Sequence, residues 1–182
     1  LYATVEGPAG GRGVAGGDEG AESGAGGGAG APGGARGGAG AQANVTGTYR
    51  STDGGATWTK TSSTNPRPMY FSNLRVDPTN AERVYMGGVG LHLSIDGAKT
   101  FETDAALVIH DDIHAIWINP KNPDHVLIGG DGGVAVSYDM ARTWAMHPNL
   151  PVGLFYHVAF DMETPYNVCG GMQDNYDWCG PS

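Results

Sequence analysis

The pattern Ser-x-Asp-x-x-x-Thr-aromatic occurs three times, as STDGGATW at 51–58, SIDGAKTF at 94–101 and SYDMARTW at 137–144, each copy starting 43 residues after the last. A fixed period of this length implies stacked copies of one supersecondary unit, none of which can bury its apolar face alone. The register extends beyond the box. Asp77-Pro78-Thr79-Asn80 aligns with Asn119-Pro120-Lys121-Asn122, 42 residues on, and Asp161 stands another 42 on. Each is followed by a short apolar run ending in paired glycines: Arg83–Gly88, His125–Gly130 and Tyr166–Gly171.

The order within a unit is constant. An apolar or alternating stretch (Phe71–Asp77, Ile113–Asn119, Tyr156–Asp161) leads into an Asx-Pro turn, where Pro fixes φ and Asx bonds its own backbone. The Gly-Gly run follows, then a third stretch (Leu91–Ser94, Val134–Ser137), the box, and a short segment opening with the Thr-aromatic pair. Four short strands per unit and no sustained helical period predict an all-β chain of four-stranded β-propeller blades. In this reading the box is a fold staple. Ser and Asp side chains bond the N–H groups of a tight turn, glycines take its positive φ values, and the aromatic wedges between sheets. The staple comprises Ser51, Asp53, Gly55, Thr57 and Trp58; Ser94, Asp96, Gly97, Thr100 and Phe101; and Ser137, Asp139, Thr143 and Trp144.

STDGGATW, preceded by Gly47-Thr48-Tyr49-Arg50, resembles the Asp box or BNR repeat of sialidases, xyloglucanases and sortilin-type propellers. WINPKNPDHVLIGGDGGVAVSYD, NLPVGLFYHVAFD and GGMQDNYDW are similar to stretches of large secreted bacterial sortilin-like and glycosyl-hydrolase-like BNR proteins. The resemblance covers 44–182 and implies a secreted, periplasmic or cell-envelope location. Two boxes depart from the pattern. Phe101 stands for Trp in the second, and Met140-Ala141 for Gly-Gly in the third, which predicts a strained or reshaped turn. A sialidase would carry an Arg-Ile-Pro motif, and none occurs.

Residues 7–41 hold 17 of the 32 glycines and one branched aliphatic, Val14, so the 7–43 segment cannot offset its ordering entropy and reads as a disordered insertion. The predicted blades are then 1–6 with 44–61, 71–102, 113–146, and the opening of a fourth at 156–182. That is about three and a half blades, so the chain is expected to be a piece of a larger one completed by further blades, or to close by association. A net charge of −9 with ten Lys and Arg argues against nucleic acid, and no apolar run is long enough to span a bilayer. Cys169 and Cys179 fit either a disulfide or two thiols. The G-x-G-x-x-G match at 11–16 lies in low-complexity sequence and is not a dinucleotide site. Asn44-Val45-Thr46 is a sequon of the kind that arises by chance.

His110-Asp111-Asp112-Ile113-His114 is the densest polar cluster and precedes an innermost strand, where propellers bind ligands at the channel mouth. Its His and Asp could share a divalent metal, although no metal ligand set or cofactor is assigned, or a carboxylate could act as general acid. A solvated loop with turn-capping Asp residues is the plainer reading. Asp131, Gln173, Asp174 and Asn175 sit on Gly-flanked turns; they are hairpin residues or line a surface for sugars or peptide, with Trp178 or Tyr176 stacking on a pyranose ring. Glycoside hydrolysis needs two carboxyl groups ~5–10 Å apart; Asp111 or Asp112 with Asp174 is the first pair to consider. The leading expectation is a recognition scaffold for peptide, protein or glycan, and its rival is a glycoside hydrolase of xyloglucanase type.

Overall fold

The computed structural model describes residues 1–7, 45–68, 70, 72–103, 105–106, 108–150 and 153–182. The insertion expected at 7–43, the 11–16 motif, Asn44 and Phe71 lie outside these residues, apart from Gly7. The chain divides into two units, Leu1–Glu6 with Thr46–Ser182 and Gly7–Val45.

The fold is all-β. Thirteen strands and no helix occur among the described residues, arranged as four antiparallel sheets in chain order. The first sheet is β1 (Tyr2–Val5), β2 (Gly47–Arg50) and β3 (Thr59–Ser62). The second is β4 (Asn73–Asp77), β5 (Asn80–Gly88) and β6 (Gly90–Ser94). The third is β7 (Ile113–Ile118), β8 (Val126–Gly130), β9 (Gly133–Ser137) and β10 (Ala145–Met146). The fourth is β11 (Phe155–Phe160), β12 (Asn167–Met172) and β13 (Asp177–Pro181). Among the described residues no sheet closes into a barrel. The expected fourth strand of the 71–102 unit is only a bridge. Glu102 exchanges both backbone bonds with Leu93, Ala105 donates one to Leu91, and the register slips by one residue between them.

The core lies between the second and third sheets. Period-2 alternation sends Ile116 and Ile118 of β7, Val126 and Ile128 of β8 and Ala135 of β9 to one face, where they pack with Tyr85 and Leu91. Trp144 packs against this cluster and donates from Nε1 to the Ala105 carbonyl at 2.8 Å. Trp58, in contrast, is 42% exposed and bonds the Gly55 carbonyl of its own box, so the box aromatics are not equivalent in setting.

The boxes share one hydrogen-bond network. In each, the Ser hydroxyl donates to Asp Oδ1 (2.7, 2.8 and 2.8 Å). It also accepts from the N–H of Gly55, Ala98 or Ala141 at 2.9 Å. Asp Oδ1 takes the N–H of Thr57, Thr100 or Thr143 at 2.9, 3.0 and 2.8 Å. The Thr hydroxyl donates to Oδ2 at 2.6, 2.7 and 2.6 Å. These bonds favour the ionised carboxylate. The Thr57 hydroxyl chiefly holds Asp53 well below the usual carboxylate range, the Thr100 N–H does the same for Asp96, and the Thr143 hydroxyl brings Asp139 down to about 2.

The third box keeps this geometry without glycines, so its turn is not reshaped. Met140 and Ala141 adopt φ of 61° and 66°, where the first box has Gly54 at 74° and Gly55 at 99°. The left-handed region is unfavourable for residues with a Cβ. Relief of this strain is worth about 1–2 kcal/mol, of which glycine's greater freedom in the unfolded chain offsets about 0.5–1 kcal/mol, so Met140→Gly is expected to raise stability by about 0.5–1 kcal/mol, read as a higher thermal midpoint. An unchanged or lower midpoint would mean that the turn is not strained at Met140.

Candidate functional site

The paired glycines position the polar cluster. β8 ends at Gly129-Gly130 and turns through Asp131-Gly132 into β9, a two-residue hairpin. The loop carrying His110, Asp111 and Asp112 lies directly on this hairpin. A Cβ at Gly130 would sit 2.2 Å from the Asp112 carbonyl oxygen, and one at Gly132 would sit 2.5 Å from the His110 nitrogen. Only glycine allows that approach.

The structure separates the cluster into two groups. Asp112, at φ 66°, turns away to pair with Arg67, tying the loop to the segment before β4. Asp111 is exposed and is not among the residues lining the groove described below. His114 Nε2 lies 3.4 Å from Asp131 Oδ1, and His110 Nε2 lies 3.9 Å from Asp174 Oδ1, the second beyond hydrogen-bond reach. Asp174 sits at the tip of the β12–β13 turn with φ 56°. Its neighbour Asn175 donates from Nδ2 to the carbonyls of Asp131 and Gln173, each at 3.0 Å. The β8–β9 and β12–β13 turns, 42–44 residues apart in sequence, therefore meet.

Beside this junction an open groove of about 900 Å³ runs between the third and fourth sheets. Asp131, Gln173, Asp174 and Asn175 supply its polar side, and Tyr176 and Trp178 its rim. Met146, Leu150, Leu154, Phe155 and Met172 supply an apolar wall. Of the carboxylates expected to act catalytically only Asp174 reaches the groove, and its companion there is Asp131, expected as a binding residue. His110 and His114 stand behind these two carboxylates and are not among the lining residues. The apolar wall has no sequence signature, because Leu150 and Leu154 come from a connection and Met146 from a two-residue strand. Among the described residues no three His, Cys, Asp or Glu side chains converge in a group able to hold a metal ion.

β12 and β13 place Cys169 directly opposite Cys179, and the two form a disulfide. It fixes the hairpin whose tip carries Gln173–Tyr176. No helix among the described residues is long and apolar enough to cross a membrane.

No protein-family model matches this sequence. No curated protein matches it either. Solved structures do. A GH74 enzyme of Niastella koreensis aligns with a TM-score of 0.50 at 19% identity, covering 71% of this chain and 22% of that enzyme. An ancestral GH74 enzyme gives 0.42 at 19% identity over 60% of this chain and 14% of its own. The GH74 xyloglucanase of Xanthomonas campestris gives 0.39 at 22% identity over 60% and 20%. These neighbours are β-propeller enzymes, and the likeness to the first of them concerns the fold. The chain spans less than a quarter of the length of each.

Proposed function

We propose that this chain is a segment of an Asp-box β-propeller of glycoside hydrolase type, and that the groove between its third and fourth sheets holds a polysaccharide. One observation carries the reading. The groove gathers two carboxylates, Asp131 and Asp174, two amides, Gln173 and Asn175, and the rings of Phe155, Tyr176 and Trp178 around one open channel. Rings offer flat apolar faces to pyranose C–H groups, while carboxylates and amides satisfy the hydroxyls at the ring edge. A groove open along its length suits a chain rather than a compact ligand. In the hydrolytic reading, one carboxyl protonates the glycosidic oxygen and the other activates water or attacks C1. Asp131 and Asp174 are the pair for those roles. The disulfide supports a secreted or envelope setting, since such bonds persist in oxidising compartments.

A second reading is a scaffold that binds glycan without cleaving it. It is favoured by the position of both carboxylates on hairpin turns, where Asp is an ordinary turn residue. Electrophoresis in gels containing xyloglucan or β-glucan, with a reducing-end assay on the same chain, separates the two. Retardation in the gel is expected, weakened about tenfold by Trp178→Ala as one stacking face is lost, a difference of about 1.4 kcal/mol. Release of reducing ends, lost in Asp174→Asn and in Asp131→Asn, supports hydrolysis. Retardation without release leaves the scaffold, and no retardation by any β-glucan defeats the glycan reading.

A further inference from the structure

β7 carries one residue more than its partner strand can pair. Ile113 pairs with Gly130 and Ala115 with Gly129, so His114 is the extra residue of a β-bulge opposite the paired glycines. Burial follows the bulge. Ile113, Ile116 and Ile118 are buried while His114 and Ala115 are exposed in succession, where strict alternation would turn Ala115 inward. The same irregularity returns one unit on. Phe155 pairs with Met172 and His157 with Gly171, which leaves Tyr156 as the extra residue, 42 positions after His114. The repeat therefore supplies the bend, and the side chain placed on it changes from unit to unit. Ser72 stands 42 positions before His114 and bonds locally, to Asn65 Oδ1 and the Arg67 N–H.

His114 is fixed from several sides. The Asn73 amide of β4 donates to its carbonyl. The backbone leading to it is wedged between two glycines. A Cβ at Gly87 of the second sheet would lie 2.6 Å from the Ile113 carbonyl oxygen, and one at Gly130 would lie 2.2 Å from that of Asp112. Asp112 is held at φ 66° and tied to Arg67. A residue with a Cβ persists in that region only where its surroundings over-determine it, and such residues cluster at functional sites. Asp131 is in the opposite situation. It stands on a two-residue turn with its side chain 41% exposed, so packing does not select its χ1 rotamer. Among the described residues the one group paired with its carboxylate is His114, with Nε2 at 3.4 Å from Oδ1.

We propose that His114 is a positioning residue for Asp131: its Nε2–H donates to Oδ1, selects one rotamer of the carboxylate and leaves Oδ2 to the groove. The contact stands on the geometry of the third sheet alone; its consequence for catalysis rests on the glycoside hydrolase reading. A carboxyl that activates water or attacks C1 has to face the scissile bond, and a misplacement of about 1 Å can lower a rate about a hundredfold. A side chain turning freely on a hairpin tip meets that condition for a fraction of the time, whereas one held by a rigid bulge meets it continuously.

Scalar couplings between Hα and Hβ of Asp131, measured in the isotope-labelled whole chain, test the contact. Values of a single rotamer are expected in the unaltered protein and averaged values in His114→Ala. Single-rotamer values should return in His114→Gln, whose amide N–H reaches the place of Nε2–H. If His114→Ala disturbs the bulge, seen as shifted amide resonances at Ile116 and Ile118, His114→Phe takes its place, because it keeps a ring and removes the donor. Averaged couplings in the unaltered protein overturn the proposal, and so do single-rotamer couplings in the variant without the donor. Reducing-end release from xyloglucan reads the consequence. In the donorless variant kcat should fall about tenfold or more with KM within about twofold, and His114→Gln should recover most of the loss. An unchanged kcat beside an averaged Asp131 overturns the positioning role. If the unaltered chain releases no reducing ends, the hydrolytic reading fails by itself, and the couplings still decide whether His114 holds Asp131.

Discussion

Ser94→Ala is expected to lower the free energy of unfolding by about 2 kcal/mol, roughly a thirtyfold change in the folding equilibrium. The Ser94 side chain is buried, and its hydroxyl does three things at once. It donates to Asp96 Oδ1 at 2.8 Å, accepts the Ala98 N–H at 2.9 Å, and takes a longer bond from the Asp96 N–H at 3.4 Å. Ala98 is itself fully buried and held at φ 64°, so its N–H cannot turn to water when the hydroxyl is removed. An unsatisfied buried donor carries its full desolvation penalty, and the Asp96 carboxylate is already committed to the Lys99 and Thr100 N–H groups. Ser51 should matter less, because the Gly55 N–H that it receives is only half-buried. Ile95, the next residue and largely exposed, is the control: Ile95→Ala should change stability by no more than about 0.5 kcal/mol. Urea midpoints for the three variants check the ranking. A Ser94→Ala midpoint equal to that of Ile95→Ala would show that the box does not hold the turn.

This ranking explains why the fold was legible in the sequence and the site only partly so. A box is local. Ser, Asp and Thr act within seven residues of one another, so spacing alone announces the turn, and three copies announce the period. The Asx-Pro turns are local in the same sense, as Asp77 bonding the N–H groups of Thr79 and Asn80 shows. The groove is not local. Asp112 looks like a catalytic carboxylate in HDDIH, but its partner Arg67 stands 45 residues away and belongs to the approach to another sheet. Asp131 looks like a hairpin residue, and it is one; it faces the groove because the β12–β13 turn comes to rest on its carbonyl. The distance between two sheets, which decides whether Trp117 or Phe160 is core or surface, leaves no mark in either segment. The cysteines behave likewise: two thiols ten residues apart are ambiguous until β12 and β13 are seen to be in register. The paired glycines lie between these extremes. Their recurrence is visible at 87–88, 129–130 and 170–171, but what approaches each pair is not.

The two glycines of one such pair, Gly129 and Gly130, should respond unequally to the same substitution. A Cβ at Gly129 would meet nothing closer than 3.9 Å, and its φ is not in the left-handed region, so Gly129→Ala should be tolerated within about 0.5 kcal/mol. A Cβ at Gly130 would lie 2.2 Å from the Asp112 carbonyl oxygen, 3.0 Å from its carbonyl carbon and 3.3 Å from the Ile113 Cα. Every one of those atoms is backbone, so no rotamer change relieves the overlap and the loop must move. Overpacking of this kind costs about 1–3 kcal/mol, and the upper end applies here because Asp112 is also held by Arg67 and Ile113 opens β7. The displacement carries His110 away from Asp174, whereas His114 remains anchored in β7 beside Asp131. Gly130→Ala should therefore lower both the urea midpoint and retardation in xyloglucan gels, while Gly129→Ala leaves both near their starting values. Equal effects from neighbouring glycines would place the His110–Asp112 loop somewhere other than on this hairpin, and the alignment of Asp131 with Asp174 would lose its cause.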